Sequence, residues 1–215
     1  MEKITQFCEM KLIKMKRIIL IFLLGSITNA YAQFSDKIKS IEEFQVQINA
    51  EFKNPEESPL SAEDMENFEG LEFFEIDTSY TITVQFVRTP AEAPFAMPTT
   101  TDRKPVYVKY GEVYFQLKDK TIKLNIYQNQ ELIKKPEYVD YLFLPFTDKT
   151  NGETTYSGGR YLDIRIPEGD SIILDFNKAY NPYCAYNGKS SCPVPPPENN
   201  LTVEIPVGVK AFVKN

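Results

Sequence analysis

The sequence contains no histidine and no tryptophan, and the lack of histidine narrows the chemistry open to the protein. Without histidine the chain has no Ser-His-Asp triad, no histidine general base and no histidine metal ligand. No stretch matches the GxxxxGK[ST] pattern of a phosphate-binding loop either. We therefore predict no metal and no cofactor, and we identify no catalytic residue.

Long hydrophobic runs are also missing. The apolar stretch Ile18 to Leu24 is too short to span a bilayer, and a basic segment precedes it. Ala30-Tyr31-Ala32 then places small residues at the spacing that a signal peptidase requires. These features predict a signal peptide over residues 1–32 and a single exported domain over residues 33–215, located in the periplasm or secreted.

The alternative interpretation of this N-terminus is an uncleaved membrane anchor. No cysteine follows the apolar run, so a lipid-anchored form is not expected, and after cleavage we predict no stable membrane anchor. Met1, Met10 and Met15 are all candidate start residues, because the residues before Met15 add little to a signal sequence.

Positive charge is scarce. The chain has 24 Lys and Arg against 30 Asp and Glu, a net charge of −6, and removal of residues 1–32 would bring it to about −9. An acidic surface repels phosphate backbones and anionic membrane surfaces. Nucleic acid is therefore excluded as a partner, and the partner we expect is a small molecule or another protein.

The periodicity of apolar residues predicts a mainly β fold after one helix. Spacings of three and four predict an N-terminal helix that Pro55 ends, with the apolar stripe Ile38, Ile41, Phe44, Ile48 and Phe52. Ser61 to Asp64 fits a capping box that opens a short second helix.

From residue 80 onward the period changes to two, as in strands with one buried side. About eight or nine short strands are indicated, which favours an antiparallel barrel or sandwich. The predicted strands are Tyr80–Phe86, Val106–Tyr110, Val113–Leu117, Ile122–Ile126, Tyr141–Phe146, Tyr161–Ile166, Ser171–Phe176, Leu201–Ile205 and Val209–Val213.

Cysteine is rare, with three residues, and Cys8 lies in the predicted signal peptide. In an exported protein Cys184 and Cys192, with seven residues between them, most simply form a disulfide across a tight loop. A redox-active pair is the alternative, although its usual spacing is CxxC.

A group of polar residues provides the candidate ligand site. The glycine pair at Gly158-Gly159 permits close backbone approach or positive φ, and Arg160 could bind a carboxylate or phosphate with its planar fork. The alternative is an Arg160 paired with an internal carboxylate such as Asp175 or Glu198. The predicted ligand-binding residues are Arg160, Asp175, Asn177, Asn181 and Glu198.

Several stretches carry a resemblance to a known family. They are Phe68–Leu71, Met97–Thr99, Leu144–Phe146, Thr155–Asp163, Asp175–Tyr186 and Cys192–Leu201. On these residues the chain resembles an uncharacterised bacterial family, the domain of unknown function 1684. It departs at Val207-Gly208-Val209-Lys210, where the family pattern usually has Ala-Gly-Glu-Lys. The resemblance implies domain extent and export but no reaction.

Three functional hypotheses follow from the sequence. The leading one is a non-catalytic binding or structural domain outside the cytoplasm. The second is an enzyme or a barrel that binds a small anion through the polar group at Arg160. The third is a thiol redox protein that uses Cys184 and Cys192.

Overall fold

The computed structural model of the protein describes residues 33–213. The predicted signal peptide and Cys8 lie outside the described residues. Within this range no helix combines the length and the apolar character needed to cross a membrane.

Between residue 33 and the sheet the chain forms two α-helices. Helix α1 covers residues 33–53 and buries Ile41, Ile48 and Phe52, which confirms the predicted apolar stripe. Helix α2, Ala62–Glu66, begins as the capping box predicted: Ser61 Oγ accepts the backbone N–H of Asp64 at 3.0 Å and donates to the Asp64 carboxylate at 2.6 Å.

In the described part of the chain, seven antiparallel strands form one sheet that curls into a half-barrel. Its order is β6-β5-β4-β3-β1-β7, with β2 added against β3. The strands are β1 Thr81–Arg88, β2 Phe95–Ala96, β3 Val106–Leu117, β4 Lys120–Asn129, β5 Tyr141–Phe146, β6 Arg160–Arg165 and β7 Ser171–Asp175.

The mainly β, antiparallel class is confirmed, but the predicted strand count was too high. The two strands predicted on either side of Gly111 are one strand, β3, because a register shift between Lys109 and Gly111 lets the ladder with β4 continue. The strand predicted at Val209–Val213 contributes only a single bridge, between Phe73 and Val209.

The segment of residues 201–209 looks like a strand in sequence but joins no ladder. Leu201, Val203 and Ile205 are buried in the core, as their alternation requires. Their backbone groups, however, bond to loops and side chains: Leu201 N–H donates to Thr147 O at 2.7 Å, and Ile205 N–H donates to Asp148 Oδ1 at 3.1 Å. The alternation therefore indicates that one side of an extended segment is buried. It does not indicate that the segment pairs with a neighbouring strand.

Strand β5 is apolar throughout because both of its faces are covered. Leu142, Leu144 and Phe146 belong to a mostly aliphatic core, whereas Phe143 belongs to a separate cluster of buried aromatic rings. Successive side chains of a strand point to opposite faces. The half-barrel therefore has an aliphatic face and an aromatic face, and the two faces carry different polar residues.

Candidate functional site

The aromatic face of the sheet borders a cavity of about 660 Å³. Strands β5 and β6 supply part of its wall, α1 supplies another part, and the segment of residues 178–193 supplies a third. A cavity of this size can hold a small organic molecule.

Aromatic side chains dominate the lining. Phe143 and Tyr161 pack edge to face on neighbouring strands, with ring centroids 4.7 Å apart. The aromatic lining residues are Phe44, Phe52, Tyr107, Tyr141, Phe143, Tyr161, Tyr180 and Tyr183.

Asp163 is the polar residue that β6 presents to this cavity. It pairs with Phe143 in the β5–β6 register, so it lies on the aromatic face. Tyr141 and Tyr180 both donate their hydroxyl groups to Asp163 Oδ1, at 2.7 Å and 2.6 Å. Two neighbouring hydroxyl groups therefore orient this carboxylate at the wall of the cavity.

The environment of Asp163 disfavours its charged form. The side chain is accessible from the cavity but surrounded by protein, and this desolvation raises its pKa above the ordinary value, outweighing the opposite effect of the two tyrosine hydrogen bonds. Desolvation and the neighbouring carboxylate also raise the pKa values of Tyr141 and Tyr180, so both remain hydroxyl donors at neutral pH. The arrangement is a carboxylate held in one orientation by two hydroxyl donors.

Other charged side chains also line the cavity. Glu51 comes from α1, and its charge adds to the rise in the Asp163 pKa. Arg103 is fixed on Ser191, with Nε donating to Oγ at 3.1 Å and Nη2 donating to the backbone carbonyl at 2.8 Å. Lys178 is the remaining charged residue of the lining, and it too interacts with another residue.

The two cysteines are neighbours beside the cavity. Cys192 lines it, and the backbone N–H of Cys184 donates to Cys192 Sγ at 3.1 Å. Both are free thiols, so the structure does not contain the predicted disulfide. A hydrogen bond from Cys192 lowers the pKa of Cys184 to about 6, and the same contact raises the pKa of Cys192. The Tyr156 hydroxyl lies 3.6 Å from Cys184 Sγ.

Arg160 does not face the cavity. It lies on the aliphatic face, fully buried, where Nη2 donates to Asp148 Oδ2 at 2.8 Å and to Ile205 O at 2.7 Å, and Nη1 donates to Val207 O. Desolvation lowers its pKa, and Asp148 opposes that change. Arg160 does pair with an internal carboxylate, but the partner is Asp148 and not Asp175 or Glu198.

The structure does not bring the other predicted ligand-binding residues together with Arg160 around one opening. Asp175 and Asn177 shape the turn after β7, where Asn177 also donates to the backbone of Asp77 at 2.9 Å. Asn181 is buried and donates to Lys210 O at 2.8 Å, whereas Glu198 is exposed in a separate turn. These residues fix the loops over the sheet.

Sequence reasoning missed Asp163, Tyr141 and Tyr180 as site residues. The signal was present in part, because the alternation of β6 places Tyr161 and Asp163 on one face. The sequence does not reveal the strand register that places Asp163 opposite Phe143, nor the contact between Asp163 and Tyr180. Within residues 33–213 no group of three or more Asp, Glu or Cys side chains is arranged to hold a metal ion.

Comparison with known proteins places the chain in a family. Residues 66–210 match the family described as protein of unknown function, DUF1684. The chain belongs to the DUF1684 family. The resemblance drawn from the sequence is thus confirmed. A search of curated proteins found no match.

The DUF1684 chain is also similar to a solved structure. The solution NMR structure of the uncharacterised protein from gene locus rrnAC0354 of Haloarcula marismortui aligns with a TM-score of 0.66 and 28% identity, covering 83% of this chain and 96% of that chain. Because that organism is an archaeon, similar chains are not confined to bacteria.

The region matched to DUF1684 contains the central chemistry of the cavity. Asp163 and its two tyrosine donors lie within residues 66–210, as do both thiols. The wall formed by α1, residues 33–53, lies outside the matched region. The carboxylate is therefore part of the family domain, and the α1 wall is not.

Proposed function

We propose that the protein is a non-catalytic domain that binds a small organic molecule in the aromatic cavity, with Asp163 as its polar contact. The observation that carries the proposal is the carboxylate itself: two tyrosine hydroxyls orient it at the wall of a cavity that is lined by aromatic side chains. A few oriented polar groups among apolar walls are the usual composition of a ligand site.

The anion-binding alternative centred on Arg160 has less support. Every assigned hydrogen bond of the Arg160 guanidinium goes to Asp148 or to backbone carbonyls, and the side chain has no accessible surface. An anion would have to displace Asp148 from the core. A buried charge that loses its partner destabilises the fold by about 3–5 kcal/mol.

A tryptophan reporter tests the proposed site, because the chain has no tryptophan of its own. Tyr183→Trp places an indole at the cavity wall, and Ile173→Trp places one on the exposed side of β7. Small-molecule extract from the producing cells is expected to change the emission of the first reporter only, and to lose that effect when Asp163→Asn is added. Equal responses of both reporters, or none, would contradict the proposal.

We also propose that the chain is exported and that cleavage after Ala32 leaves Gln33 first. The basic segment, the apolar run and the small residues of the N-terminus support this proposal. Intact mass and cell fractionation test it: the cleaved chain should be found outside the cytoplasm. A full-length chain retained in the cytosol would refute it.

A thiol redox role is a second candidate function, favoured by the contact between Cys184 and Cys192. In an oxidising compartment the adjacent thiols would form the disulfide that the sequence predicts. Intact mass of freshly isolated protein would then be lower by two hydrogens. Resistance of that bond to mild reductant indicates a structural disulfide, and rapid reduction indicates the redox role.

A further inference from the structure

We infer that the ligand of this cavity carries a cationic ammonium group, bound by Asp163 and the surrounding aromatic rings. This inference rests on the proposed binding function and names the chemical class of its ligand. Three features support it: the carboxylate of Asp163, the aromatic rings of the cavity lining, and basic side chains that are held by other contacts.

The first feature is the charge of Asp163. Its described hydrogen bonds come from two neutral tyrosine hydroxyls, both to Oδ1. The nearby guanidinium of Arg165 bonds instead to Asp140 Oδ1, at 2.6 Å. A cation bound at the carboxylate would add an ion pair to these two hydrogen bonds, and a charge-assisted contact is stronger than one between neutral groups.

The second feature is the aromatic wall. Phe143 lies directly across from Asp163 in the ladder, and Tyr161 packs against Phe143. The faces of aromatic rings carry partial negative charge and attract cations, most strongly where water is excluded. Rings and a carboxylate together form the kind of enclosure that recognises substituted ammonium groups.

The third feature is the balance of the other charges in the lining. Glu51 adds a second carboxylate, close enough to influence the pKa of Asp163. Of the two basic residues, Arg103 is bound to Ser191 and Lys178 has an interaction of its own. Beside Asp163 an ammonium group would be attracted by both carboxylates, whereas an anionic group would be repelled by them.

A matched pair of probes tests the inference. Choline phenyl ether carries a trimethylammonium group, and its carbon isostere replaces the nitrogen with a quaternary carbon of the same shape. Calorimetric titration of the purified protein is expected to show the cation bound about tenfold more tightly than the isostere. Phenoxyacetate serves as an anionic probe of similar width and is expected to bind more weakly than either.

Two Asp→Asn variants, one in the cavity lining and one outside it, test whether the preference for the cation depends on Asp163. Asp163→Asn is expected to abolish the preference for the cation, whereas Asp170→Asn, at an exposed position outside the cavity lining, should retain it. Thermal unfolding of both variants checks that each is folded.

The outcomes separate a failure of the cationic ligand class from a failure of the proposed binding function. Equal or tighter binding of the isostere or phenoxyacetate, still dependent on Asp163, would overturn the cationic class and leave the binding site intact. Failure of all three probes to bind would also count against the inference. An empty cavity in natively isolated protein would overturn the binding function as well.

Discussion

At the scale of single residues, the fold depends on one charged pair inside an apolar core. Arg160 and Asp148 are both inaccessible to solvent, and together they bond the backbone at Ile205 and Val207. They thereby supply the hydrogen bonds that a neighbouring strand would otherwise give to the segment of residues 201–209. Removal of either partner leaves an unpaired charge and unsatisfied backbone groups.

We predict that Asp148→Asn lowers the free energy of unfolding by about 3–5 kcal/mol, because it leaves the buried guanidinium without its counter-charge. Urea denaturation measures the change. Asp140→Asn is the control, since it breaks an exposed pair with Arg165 and should cost less than about 1 kcal/mol. Similar small losses in both variants would show that the buried pair is not what fixes residues 201–209.

Asp163 gives the opposite prediction, because its surroundings disfavour the charged carboxylate. Its folded pKa is raised above the usual 3.8, so the folded state binds its proton more tightly than the unfolded chain. The resulting destabilisation is absent below about pH 3.8 and grows as pH rises through the folded pKa. Asp163→Asn should therefore raise the melting temperature at neutral pH and have little effect near pH 4. A lower melting temperature at neutral pH would assign Asp163 a structural role.

Residue types in the sequence indicated part of this arrangement. The glycine pair predicted unusual backbone conformation, and Gly159 does adopt a φ of +91°, with a Cβ there lying 2.6 Å from Phe146 O. An internal partner for Arg160 was also anticipated, but not Asp148. In the sequence, Asp148 has the features of a turn residue. It is enclosed because residues 201–209 pass back across the sheet in the folded chain.

At the scale of elements, the β3–β4 hairpin turns through two residues with positive φ. Lys118 has a φ of 48° and Asp119 a φ of 60°, as in the two-residue turns that match strand twist. Neither residue is the glycine that such a turn prefers, so the connection stores some backbone strain.

We predict that Asp119→Gly stabilises the protein by about 0.5 kcal/mol, because glycine adopts positive φ without a steric cost. Asp119→Ala is the matched control and should destabilise the protein, since alanine tolerates this conformation less well than aspartate. Thermal unfolding of both variants checks the prediction. The same sign of change in both would mean that the turn conformation is not what limits this hairpin.

Period-two patterns located the strands of the main ladder closely but overcounted at the C-terminus. The pattern at Leu201, Val203 and Ile205 arises from burial on one side, which an extended segment shares with a true strand. Hydrogen-bond partners distinguish the two, and partners distant in sequence leave no local pattern.

At the scale of the whole molecule, one sheet separates two environments. Its aliphatic face holds the Arg160–Asp148 pair, shielded from solvent, and its aromatic face holds Asp163, open to a cavity. Arg160, a predicted ligand-binding residue, lies on the aliphatic face and does not line the cavity. Strand β5 is apolar on both sides, so its pattern gave no indication of which face borders the cavity.

Native mass spectrometry of the protein, purified without unfolding, tests the central claim most directly. We predict that the wild-type chain and Asp170→Asn retain a small molecule, released on denaturation, and that Asp163→Asn does not. A folded wild-type chain isolated with nothing bound, or a molecule retained equally by Asp163→Asn, would contradict a ligand site built on Asp163.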